Sequence, residues 1–161
     1  MRARDRTGLA CTLLALGACA TVSPSEAAGP AEIMIAAGPC FGACPTYSAR
    51  VDASGAGHFT GTRFTRVTGN RDFAIDPAAF RRIAAALAPY RPARDRAIGP
   101  EECARFHTDA PSWTVRWTDR SGARVSLHLN LGCTDARYQP MADAIRSVGT
   151  MLGIDPLVAH E

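Results

Sequence analysis

A chain of 161 residues, 47% apolar and 20% charged, has the size of one domain and the make-up of a folded protein able to bury a core, which excludes a disordered or fibrous chain. The formal net charge of +3 falls to about +1 once a leader carrying Arg2, Arg4, Arg6 and Asp5 is removed, which argues against a nucleic-acid partner. All 18 basic residues are arginine, and they are scattered, with no long run. At the start, Arg2, Arg4 and Arg6 form a positive region, Gly8 to Leu16 is a short apolar stretch, and Leu16-Gly17-Ala18 places small residues just before Cys19. That pattern is a secretory signal over residues 1–18. The apolar run is too short to cross a bilayer, which takes about 20 residues.

Leu16-Gly17-Ala18-Cys19 resembles a bacterial lipobox, in which the cysteine is acylated and becomes the new N-terminus. The alternative is ordinary cleavage after Ala27, among the small residues around Ser25 to Ala28. Each buried methylene contributes about 0.8 kcal/mol, and a stable anchor takes more than one acyl chain. A multiply acylated Cys19 would hold the protein to a membrane with no spanning helix. Ala20 follows Cys19 in place of an aspartate, which for lipoproteins of this kind implies the outer membrane, with the domain facing the periplasm.

Residues 19–30 are small, polar and proline-bearing, so they read as a flexible tether. A single domain is expected over residues 31–154, with a tail over 155–161. Glu32-Ile33-Met34-Ile35-Ala36 alternates as a first strand and stops at Gly38-Pro39, before a loop holding Cys40 and Cys44. Tyr47, Ala49 and Val51 then share one face, Ala53-Ser54-Gly55-Ala56 supplies a turn, and pairing Val51 with Phe59 keeps the apolar face consistent. Phe64 to Ile75 reads as one or two edge strands interrupted at Gly69-Asn70. Asp76-Pro77 opens a helix with Phe80, Ile83 and Leu87 on one stripe and Arg81 and Arg82 opposite, ending near Pro89.

Residues 90–111 make a connection longer than the 12 to 15 residues or so that ordinarily suffice, which points to function or to an added anchor. Arg91, Arg94 and Arg96 there are candidates for binding an anion, although three such arginines beside Asp95 are more often a solvated loop. His107 and Asp109 form the one local acid/base pair, with no nucleophile setting to accompany them. A second hairpin follows. Trp113, Val115 and Trp117 alternate on one face and Val125, Leu127 and Leu129 on the other strand; Asp119 paired with Ala123 sets Trp117 against Val125. Gln139-Pro140 opens a last helix with Met141, Ile145, Val148 and Leu152 inward, stopped by Gly153 and Pro156. The fold class is therefore α+β: an antiparallel sheet of two hairpins plus an N-terminal strand, with two helices packed on one face.

With Cys11 in the leader and Cys19 lipidated, Cys40, Cys44, Cys103 and Cys133 remain. An even count in an oxidising compartment reads as two disulfides, with three connectivities open.

Cys40-Phe41-Gly42-Ala43-Cys44-Pro45-Thr46-Tyr47, Gly55 and Gly61 in the next hairpin, Thr108-Asp109-Ala110-Pro111 before the second hairpin, and a closing helix together resemble domain-of-unknown-function family 6438, over roughly residues 31–153. The resemblance implies a small exported bacterial domain and supplies no catalytic residues. In such members the second cysteine pair lies outside the core pattern, so the resemblance favours Cys103 with Cys133 and leaves Cys40 for Cys44. By chain entropy the short loop would contribute about 2 kcal/mol and the long one about 3.7 kcal/mol. Cys-x-x-x-Cys-Pro is also similar to the loop of thioredoxin-fold copper-delivery proteins, where two thiolates hold Cu(I). That alternative makes Cys40 and Cys44 a copper or thiol-redox site; otherwise no metal and no cofactor are expected. In the copper proteins the loop leads into a helix, whereas here it leads into the strand pattern of Tyr47, Ala49 and Val51. The reading is a lipid-anchored envelope domain with a binding or structural role and no enzyme activity, with the membrane as one partner and another envelope protein as a candidate second.

Overall fold

The computed structural model describes residues 29–158, so the leader, Cys19, most of the tether and His160 lie outside the described residues. Seven strands make one sheet: β1 (Glu32–Ala37), β2 (Thr46–Asp52), β3 (Ala56–Arg63), β4 (Gly69–Ala74), β5 (Arg96–Ile98), β6 (Ser112–Thr118) and β7 (Arg124–Asn130). Their spatial order is β4-β3-β2-β1-β6-β7-β5, antiparallel throughout except that β5 runs parallel to β7. Two long helices, α1 (Pro77–Leu87) and α2 (Gln139–Leu152), pack against each other, and a short third, α3 (Asp155–Val158), is the last element of the described residues. The class is α+β, as the periodicities require.

β1 is the centre of the sheet because its inward residues match those of both neighbours. Ile33 lies between Val51 and Trp117, Ile35 between Ala49 and Val115, and Ala37 between Tyr47 and Trp113. The inward row is thus apolar across three strands, and a slip of one residue would turn all of it to water. Phe80, Ile83 and Leu87 from α1 and Met141, Ile145, Val148 and Leu152 from α2 complete one core with that row. Each fully buried side chain of this size contributes roughly 1.5–3 kcal/mol. The helix ends follow their signals: the Asp76 carboxylate accepts from Ala78 N–H at 2.6 Å, and Gly153 takes a left-handed φ of 67° after α2.

The second hairpin has the register its alternation demands, with Trp117 on Val125, Val115 on Leu127 and Trp113 on Leu129. The first does not: Val51 pairs with Gly57, and Phe59 faces Ala49. The turn is tighter than expected because Gly55, at φ 91°, is its last residue. Asp52 locks it, accepting from Ser54 N–H at 2.8 Å and Ala56 N–H at 3.2 Å. The shift is by two residues, so Val51 and Phe59 still point inward.

Three further segments differ from expectation. Phe64 to Ile75 gives one strand, which starts at Gly69 and is not broken there. The break falls earlier, where Phe64 has a φ of 53° and the Thr65 hydroxyl turns back to the Val67 carbonyl. β5 arises inside the long connection, held by Ile98, which is fully buried. Residues 155–158 of the expected tail are helical and bound to the fold, with Val67 N–H donating to Leu157 O at 3.1 Å.

Candidate functional site

Two regions carry the chemistry of this fold: the sheet end where both cysteine pairs lie, and the sheet face opposite the helices.

At the first, β1 ends on Ala37 and Gly38 N–H donates to the Ser112 carbonyl at 2.8 Å. The chain then loops out and returns at Thr46. Cys40 and Cys44 are bonded, with Cα atoms 5.7 Å apart. Gly42, at φ 148°, supplies a backbone that side-chain-bearing residues resist. Phe41 is 88% exposed at the tip, while its N–H donates to the Asp109 carbonyl at 3.0 Å. Beneath the loop, Tyr47 packs on Phe59 and edge-on to Trp113, at centroid distances of 5.5 and 6.0 Å. Burial, aided by the Asp155 charge, pushes the Tyr47 phenol up to about 12. It stays a neutral packing group.

Cys103 and Cys133 form the second bond, with Cα atoms 5.6 Å apart. The pairs are those the family resemblance favoured. Around this bond the long connection is stitched to the end of β7: Phe106 bridges Cys133, His107 N–H donates to Gly132 O at 2.8 Å, and Thr134 N–H to Arg105 O at 3.1 Å. Asp135 accepts from Ala104 N–H and Arg105 N–H, both at 3.0 Å. The extra anchor that so long a connection calls for is therefore the disulfide, these bonds and Ile98.

The Ala104 N–H first, then the Arg105 N–H and the Arg137 and Arg105 charges, hold Asp135 below the ordinary carboxylate range against an opposing effect of burial. A depressed folded value stabilises above the unfolded carboxylate value of about 3.9 and loses that stabilisation as pH falls through the folded value. Asp135→Asn should therefore melt below the native protein at pH 7, and the gap should shrink as pH drops below about 4. Thermal unfolding at pH 7 and pH 3 checks this; a gap independent of pH would contradict it.

The candidate residues of the long connection are not brought together. Arg91 Nη2 donates to both oxygens of the Asp119 carboxylate, at 2.8 and 2.9 Å, at the turn of the second hairpin, and Arg96 pairs with Glu102 at 3.0 Å. Arg94 is exposed. The Asp109 carboxylate accepts from the Thr108 hydroxyl at 3.2 Å, and among the described residues no hydrogen bond joins it to His107. With Cys40 and Cys44 bonded, the loop presents no thiolate, and no group of three or more His, Cys, Asp or Glu side chains able to hold a metal occurs among the described residues.

The second region is the outward face of the sheet, none of whose side chains is buried. One row across it runs Asp72, His58, Arg50, Met34, Arg116, Ser126, on six adjacent strands. Beside it, Asp52, Glu32, Thr118 and Arg124 form a second row. Opposed side chains in such rows stand about 4.5–5.5 Å apart at Cβ. Over the two rows lies a depression of about 310 Å³ whose lining includes Arg50, Arg116, Arg124, His58 and Glu32 and reaches Ser48 and Thr60 on the far side of the first row. His58 Nδ1 lies 2.6 Å from the Asp72 carboxylate, which orients the ring. Alternation alone places Arg50 and Arg116 outward; their meeting across Met34 follows from β1 lying between β2 and β6.

No curated protein matches the chain. A family model does match, over residues 31–148, which is the whole sheet, both long helices' core residues up to Val148, and both disulfides. The chain therefore belongs to the domain of unknown function family DUF6438.

Proposed function

We propose that this protein is a lipid-anchored domain of the bacterial cell envelope that binds or braces and does not catalyse. The observation that carries the reading is the closure of all four cysteines of the domain into two bonds, since such bonds persist in oxidising compartments such as the periplasm. The lipobox at Leu16 to Cys19 supplies the anchor, and Ala20 directs it to the outer membrane. Supporting the lack of catalysis, the sulfurs are consumed in bonds, and the Asp109 carboxylate is bonded to the Thr108 hydroxyl, with no hydrogen bond to His107 among the described residues. The cysteine loop thus acts as a staple between β1 and β2, with Gly42 making its bend.

Labelled palmitate fed to cells making the protein tests the anchor. The expected result is label in the native chain, located in the outer-membrane fraction, and none in Cys19→Ser. An unlabelled native chain found free in the periplasm would overturn the anchor.

A further inference from the structure

Three arginines of the open sheet face, Arg50, Arg116 and Arg124, line one depression together. Arg91, Arg96, Arg137 and Arg146 each face a carboxylate within 3.7 Å. Arg50, Arg116 and Arg124 are exposed and take part in none of the ion pairs found among the described residues, although Glu32 stands between them. Arg50 and Arg116 sit on strands two apart, so their backbones are separated by roughly 10 Å, with Met34 as the apolar floor between them. Guanidinium forks match phosphate and carboxylate oxygens in pairs. Ser48 and Thr118 add hydroxyls around the same depression, while the Thr60 hydroxyl beside them donates to Asn70 Oδ1 at 2.9 Å.

From this we infer that the open face binds an oxyanion, a phosphate or carboxylate group, held by Arg50 and Arg116 above Met34 with Arg124 at its margin. Glu32 opposes the anion and limits its affinity. The inference rests on the reading of the domain as a binder and gives that binder a ligand class; it is independent of the cysteine loop and of lipidation. Two sources share this chemistry: a free small anion and the phosphate of a lipid headgroup. The second is within reach because the chain enters β1 beside the site, with Ala31 N–H bound to Thr118 O at 2.8 Å.

The test is an amide NMR titration of the full-length chain exported as Cys19→Ser, so that no acyl chain carries it into vesicles, with disulfides intact, at low ionic strength, with inorganic phosphate and with citrate. A parallel arm uses sedimentation with phosphatidylcholine vesicles, with and without phosphatidylglycerol. Saturable shifts are expected at Met34, Arg50 and Arg116. Arg50→Gln with Arg116→Gln should weaken binding by about tenfold or more, the scale of a lost charge-assisted hydrogen bond. Glu32→Gln should strengthen it, and Arg81→Gln with Arg82→Gln, on the exposed side of α1, should leave it unchanged. Response to soluble anions alone identifies a free ligand. Sedimentation that requires phosphatidylglycerol and is lost in the Arg50/Arg116 variant identifies a headgroup. No saturable response in either arm, or an equal loss in the α1 variant, overturns the inference. Neither result bears on the Cys19 anchor, which palmitate labelling decides separately.

Discussion

Trp117→Ala is expected to destabilise the domain by about 3–5 kcal/mol, the cost of truncating a fully buried aromatic residue. Trp117 is 1% exposed and is the largest fully buried side chain. It stands on β6 between Ile33 of β1 and Val125 of β7, so the void would open in the middle of the sheet, where strands on both sides resist collapse. Against a usual total of about 5–15 kcal/mol, a loss of this size puts a large part of the stability at risk. Urea unfolding with the disulfides intact should show the midpoint falling while the slope stays constant. Trp113 provides the internal control. It lies on the same strand and the same face but is only half-buried, at the cysteine end against Tyr47. Trp113→Ala should cost clearly less. Equal losses at the two positions would mean that the core is not centred on β1 and β6.

The second large effect separates the two disulfides. Removing the Cys103–Cys133 bond as a double alanine variant should cost about 3.7 kcal/mol by the chain-entropy account, and removing Cys40–Cys44 about 2 kcal/mol. The order follows from loop length, since the bonded residues are 30 apart in the first pair and 4 apart in the second. Packing acts in the same direction. Cys133 is 4% exposed and belongs to the core cluster, whereas Cys40 and Cys44 flank the exposed Phe41. Unfolding midpoints of the two double variants check the order. A larger loss at Cys40/Cys44 would show that the short loop is the main brace of the fold.

The helices and the second hairpin could be read from the sequence because their signals are local. The stripe of Phe80, Ile83 and Leu87 needs only the helical period, and Trp117 against Val125 needs only alternation and the turn at Gly122. The first hairpin misled by two residues because glycines at 55, 57 and 61 leave its apolar pattern sparse, so turn chemistry at Asp52 and Gly55 sets the register. β5 was hidden because only Ile98 among its three residues is a buried apolar group, and its partner β7 lies about 30 residues away in sequence. The sheet order is likewise non-local. Alternation in Ile33 and Ile35 tells which way they point and not which strands flank them. That limit also explains the misplaced anion candidates. Arg91, Arg94 and Arg96 are neighbours in sequence, yet Arg91 goes to Asp119 and Arg96 to Glu102. Arg50 and Arg116 are 66 positions apart and flank a single residue, Met34.

The state of the four cysteines in the cell decides most directly whether the loop is a staple. Protein taken from the envelope under acid quench, alkylated, and weighed intact before and after reduction measures that state. A staple predicts no alkyl groups on Cys40, Cys44, Cys103 or Cys133 before reduction and one on each of the four afterwards. Free thiols at both Cys40 and Cys44 in the unreduced protein would contradict it, and would turn the loop from a staple into a thiol site.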